Sequence, residues 1–188
     1  MALSSDTLKN KLLVFCDASD ANFEGFPTTR KEARDKWATA FDAYLSTIDE
    51  KIAWPPPLVG KHPTLLLPKV KSTFFDTLAL APLAVAQPTA VDFGNAWQAA
   101  IAAITPGTGG TDSTGMTYSL FTAFTNITLQ YADLVKALAK LFSAPTTDVK
   151  AQIGDIAGAF HTATTGLLAA MTQTAPNGVT APAAIGVQ

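Results

Sequence analysis

Apolar positions recur along this chain with the spacing of helices. Trp37, Phe41, Tyr44 and Ile48 follow one another at intervals of four, three and four residues, which sets them on one stripe of an α-helix. Thr29, with Glu32 three residues later, carries the pattern of a capping box, so this helix is predicted to begin there. The same pattern returns twice. Counted from Thr89, with Asp92 three residues on, Trp97, Ile101 and Ile104 hold the offsets that Trp37, Phe41 and Tyr44 hold from Thr29. Counted from Asp148, Ile156, Phe160, Ala163 and Leu167 hold them again. A shorter amphipathic segment precedes each long one: Leu8 to Phe15, Val70 to Leu80, and Val135 to Phe142. Pro82 and Pro145 follow the last two, as expected just past a helix end.

The three starts lie about sixty residues apart, which is the signature of an internal repeat. Each unit reads as short helix, turn, long helix, and a further helix from Met116 to Leu129 is inserted before the third. The predicted fold class is all-α, a helical bundle of about three helical hairpins with Pro/Gly-rich linkers and an extended C-terminal tail. A single helical domain is expected over residues 1–173 and the tail over 174–188.

The linkers interrupt the helical spacing plainly. Trp54-Pro55-Pro56-Pro57 closes the first long helix, and the stretch to Pro68 holds five prolines. Thr105 to Gly115 is glycine-rich and reads as a loop. The tail carries Pro176, Gly178, Pro182 and Gly186, with apolar Val179, Ile185 and Val187 between small residues. Prolines pre-set the backbone and lower the entropy lost when a segment is ordered on a partner. Non-helical backbone also keeps donors and acceptors that no helix uses. Trp54, Pro55, Pro56, Pro57, Val179, Ile185 and Val187 are therefore the candidate partner contacts, while Trp37 and Trp97 are expected as buried anchors of two equivalent hairpins.

Composition adds one point to this picture. Apolar residues make up 48% of the 188 and charged residues 15%, against about 25% charged in ordinary domains. Part of the surface is thus expected to be covered. The net charge of −2 offers no electrostatic basis for nucleic acid or an anionic membrane. The N-terminus lacks the basic and apolar regions of a secretory signal. The strongly apolar run from Leu78 to Ala86 is broken by Pro82 and falls short of the ~18–20 residues that span a bilayer.

Candidate chemistry is sparse. Neither His62 nor His161 has a second histidine or cysteine at metal-ligand spacing, and His161 is expected on a helix flank. Cys16 follows Phe15 in an apolar run and is expected to be buried and inert. Gly107-Thr108-Gly109-Gly110 lacks the lysine and preceding strand of a phosphate loop. Asp17, Asp20 and Glu24 miss the alternating ligand positions of a calcium loop. Arg30, Lys31, Arg34 and Lys36 are offset by Glu32 and Asp35 and form a mixed face. No catalytic residue, metal or cofactor is expected.

Three stretches carry a resemblance: Asp92-Phe93-Gly94-Asn95-Ala96-Trp97-Gln98-Ala99-Ala100-Ile101, Leu141-Phe142-Ser143-Ala144-Pro145, and Ile156-Ala157-Gly158-Ala159-Phe160. With the opening Ala2-Leu3-Ser4-Ser5-Asp6-Thr7-Leu8-Lys9, the chain resembles small Ala-rich helical virion proteins of tailed bacteriophages, contractile-tailed ones in particular. The resemblance covers most of the chain. It implies a non-enzymatic component of a phage particle, made in the bacterial host cytoplasm and localised to the virion. Its partners would be other virion proteins, met in multiple copies in a symmetric assembly, with no nucleic acid and no membrane. A tail or baseplate protein packed between larger tail components is the leading expectation. The alternatives are a capsid decoration or cement protein, and a cytosolic helical module binding an apolar ligand.

Overall fold

A computed structural model describes residues 3–46, 52–53, 65–66, 86–102, 105–106, 126–169, 172–174, 180–182 and 184–185. Five helices stand among these residues: α1 (Ser5–Cys16), α2 (Arg30–Leu45), α3 (Ala86–Ala102), α4 (Ile127–Ser143) and α5 (Val149–Ala169). The fold is all-α. The described strands are two or three residues long and pair antiparallel in twos: Ile52–Ala53 with Ala184–Ile185, Leu65–Leu66 with Thr105–Pro106, and Thr172–Thr174 with Thr180–Pro182. No helix among the described residues is long and apolar enough to cross a membrane.

Two of the helix starts follow their caps. Glu32 N–H donates to Thr29 Oγ1 at 3.1 Å, and the Glu32 carboxylate accepts from Thr28 N–H at 2.8 Å. The reciprocal bond of the capping box thus falls one residue before the cap itself. At α5, Ala151 N–H donates to Asp148 Oδ1 at 2.9 Å, satisfying one of the free donors of the first turn.

Thr89 departs from expectation. It lies inside α3, which begins at Ala86, and its side chain is buried. Pro88 explains the earlier start: in the first turn of a helix its missing N–H costs nothing and its fixed φ is already helical. The helix expected over Met116 to Leu129 is also not separate at its described end. Ile127 to Leu129 form the first turn of α4, which continues unbroken through the segment expected as a short helix from Val135. Ile127, Tyr131, Leu134, Leu138 and Leu141 keep helical spacing along it, so nothing in the sequence stops the helix between. Residues 116–125 and the expected helix from Val70 to Leu80 lie outside the described residues.

The repeat offsets predict burial well. At the second stripe position Phe41, Ile101 and Phe160 are all fully buried, and Trp97, Tyr44 and Leu167 join them at other stripe positions. Trp37 is the exception: only partly buried, it lies edge-on against Phe93 at 4.7 Å and Phe15 at 6.3 Å.

Helix packing follows the expected hairpins only in part. α1 lies against α2 and α4 against α5, but α3 lies against α4 and α1 against α5. α5 is the hub. It meets α2 through Phe41–Phe160 and Tyr44–His161, and α3 through Phe93–Phe160 and a bond from Trp97 to Thr164. One hydrophobic core draws on all five helices. Close approach requires small residues: a Cβ on Gly94 would stand 2.5 Å from Val135 Cγ2 and 3.0 Å from Tyr131 Cε2.

Two glycines of similar local context should therefore respond oppositely. Gly94→Val drives a side chain into α4 and should destabilise the protein by about 1–3 kcal/mol. Gly158 has open space at its Cβ position, so Gly158→Ala should stabilise it by about 0.5–1 kcal/mol through helix propensity. Urea unfolding monitored by circular dichroism reads both; a Gly94→Val protein of unchanged stability would refute the close α3–α4 contact.

Candidate functional site

Two arrangements bring polar groups together. The first is a buried chain. Trp97 Nε1–H donates to Thr164 Oγ1 at 3.0 Å, and Thr164 Oγ1 donates to Phe160 O at 2.8 Å. Tyr44 also hydrogen-bonds Thr164, and its hydroxyl lies 3.2 Å from His161 Nδ1. Thr164 lies one turn after Phe160, on the inner face of α5, which is why a hydroxyl can sit among apolar rings there. The Trp97 indole N–H and the hydroxyls of Thr164 and Tyr44 each have a partner, as groups withdrawn from water must.

The electrostatics suit a structural role. Burial pushes the Tyr44 phenol far above its ordinary range, outweighing its hydrogen bond with Thr164, so it stays neutral. Burial lowers the His161 pKa, which favours the neutral ring beside the Tyr44 hydroxyl. Burial, with a smaller contribution from Asp17, raises Cys16 to about 11, which leaves the thiol protonated and a poor nucleophile. His161 sits on a helix flank, as the sequence suggested, but its partner Tyr44 was not foreseeable from residues 117 positions apart.

The second arrangement is a cleft of about 640 Å³ between α1, α2 and the segment joining them. Its lining is mainly charged, with Lys11, Glu24, Glu32, Asp35 and Lys36, and Phe15 and Ala40 at its floor are almost fully buried. Lys36 Nζ is 3.3 Å from Glu24 Oε2 and 5.7 Å from the centre of the Phe15 ring. The carboxylates nearby already have partners. Asp17 accepts from Ser19 N–H at 2.9 Å and Ser19 Oγ at 2.7 Å, which holds its pKa below the usual carboxylate range. Asp20 accepts from Asn22 N–H at 2.8 Å. These acidic residues build a loop and do not converge on one point; among the described residues no group of three ligand side chains is placed to hold a metal.

The sequence-predicted partner contacts fall elsewhere. Trp54, Pro55, Pro56, Pro57, Val179 and Val187 lie outside the described residues, as do His62 and the Gly107–Gly110 stretch. Ile185 is described only in its backbone, which pairs with Ile52 of the same chain. The tail boundary expected after residue 173 falls inside the pairing of Thr172–Thr174 with Thr180–Pro182. Set against known protein families, characterised proteins and solved structures, the chain matches none.

The depressed His161 pKa has a consequence for stability. In the unfolded chain the imidazole titrates near its ordinary value of about 6.5, and in the fold it binds its proton less readily. The unfolded state therefore takes up more protons as pH falls. The contribution is fully present above about pH 6.5 and is lost as pH falls through the unfolded value towards the lower folded one. His161→Gln, which keeps a partner for Tyr44, should flatten that part of the pH dependence. The check is urea unfolding of both proteins at pH 7.5 and 5.5; equal acid losses in the two would show that His161 does not contribute.

Proposed function

We propose that the protein is a non-enzymatic packing component of a tailed-phage particle, seated in the tail or baseplate among larger virion proteins. The observation that carries the non-enzymatic part is the use made of its reactive side chains. His161 is tied to the core phenol of Tyr44, and Cys16 is a partly buried thiol raised to about 11. The first links α2 to α5, and the second packs against the core. The virion part is supported by the resemblance of the Ala-rich helical stretches to phage structural proteins, and by a charged fraction of 15%, low for a surface wholly in water. The linker around Trp54 and the tail through Val187 are the segments offered to neighbours, with the bundle as their carrier.

Mass spectrometry of purified particles tests this. The protein should be found in them, with a copy number that is a small multiple of six for a tail or baseplate site. A copy number in the hundreds would move the protein to the capsid, and its absence from particles would overturn the virion role. The triple variant His62→Gln, His161→Gln, Cys16→Ser should incorporate as the parent does.

A further inference from the structure

α2 and α5 run in the same direction. Phe41 on α2 meets Phe160 on α5, and about one turn further along both helices Tyr44 bonds Thr164. Their last residues, Leu45 and Ala169, therefore stand at one end of the bundle. The backbone beyond these two ends is joined. Ile52–Ala53, beyond α2, pairs antiparallel with Ala184–Ile185, beyond α5, with Ile52 opposite Ile185 and Ala53 opposite Ala184. Between α5 and that strand, Thr172–Thr174 pairs with Thr180–Pro182.

The Ile52–Ile185 pairing is short, two residues on each strand. Few backbone bonds hold it, and such a pairing opens far more readily than a packed core. Once Ala184–Ile185 leaves, Ile52–Ala53 presents unpaired N–H and C=O groups, a template for another strand. The strand that fits it is already known. The register that accepts Ile185 of the same chain accepts Ile185 of a second copy through the same bonds, so exchange loses no contact and costs only the entropy of association. Charge does not oppose it: no Asp, Glu, Lys or Arg lies between Asp155 and Gln188, so two such segments approach without like-charge repulsion. The receiving edge is also short by chemistry. Pro55, Pro56 and Pro57 carry no N–H, so a longer foreign strand gains no ladder donors from them.

We propose that Ile52–Ala53 is a docking edge for the C-terminal segment of a second copy, filled by the chain's own Ala184–Ile185 in the monomer and by reciprocal exchange in a dimer. Each copy gives its strand to the other, so the arrangement closes on a twofold axis. Such an exchange goes beyond the virion reading and does not depend on it.

Disulfide capture in the full chain, with Cys16→Ser as background, tests the exchange. Ile52→Cys and Ile185→Cys are made in separate chains, mixed at high concentration and mildly oxidised. Residues directly opposite on antiparallel strands come close enough for a disulfide. The mixed dimer should exceed either same-variant dimer by about tenfold, because strand pairing raises the local thiol concentration. Deleting residues 183–188 from the Ile52→Cys chain removes the competing strand, so capture by Ile185→Cys should rise while the helical circular dichroism is kept. Mixed dimers formed only at the ratio of chance encounter would overturn the proposal, as would capture that the deletion leaves unchanged. Should the shortened chain unfold, the mixture of full-length variants decides by itself.

Discussion

Everything in the bundle depends on Phe160. Its ring is fully buried on α5 and lies 5.5 Å from Phe41, 6.4 Å from Phe93 and 6.5 Å from Trp37. Through Trp37 the contact reaches Phe15 on α1, and through Phe93 it reaches Phe142 on α4. Each of the five helices thus contributes at least one ring to a continuous aromatic cluster. Edge-to-face ring pairs add about 0.5–1.5 kcal/mol each beyond the area they bury. No single helix has enough apolar surface to stay folded alone, so the cluster makes their folding mutual.

That constraint explains why polar groups enter the core only where a partner waits. Thr164 lies one turn from Phe160 and receives the indole N–H of Trp97, so a tryptophan can be fully buried without an orphaned donor. Tyr44 places its ring against Phe41 and its hydroxyl beside His161 at the edge. His161 is absorbed in this way into packing.

Much of the bundle was legible in the sequence because helical burial is periodic. The offsets from Thr29 and Asp148 located Phe41, Phe160 and Leu167 in the core, and Thr29 and Asp148 cap their helices. The pattern failed where local chemistry moved a boundary without moving the stripe: Pro88 advances the start of α3, and unbroken apolar spacing carries α4 back to Ile127. The packing order was not legible. A repeat suggests units stacked in series, yet α5 takes the centre because its Phe160 engages rings of α2 and α3, while its Gly166 lets the Gln130 side chain of α4 approach closely. The Tyr44–His161 pair and the Trp97–Thr164 bond were beyond reach for the same reason, since local spacing carries no information about which helix faces which. The exposed ring of Phe26 did carry a signal, a Phe-x-Gly-Phe-Pro run from Phe23 to Pro27, in which Gly25, at φ +106°, permits the turn and two aromatics flank it.

The most direct measurement of this account is equilibrium unfolding of Phe160→Ala, followed both by far-ultraviolet circular dichroism and by tryptophan fluorescence. Removing a fully buried phenylalanine should cost about 3–5 kcal/mol, and the two signals should shift together, because Trp37 on α2 and Trp97 on α3 share the core that Phe160 organises. A loss below about 1 kcal/mol, or fluorescence and helicity that unfold at separate denaturant concentrations, would contradict a single core centred on α5.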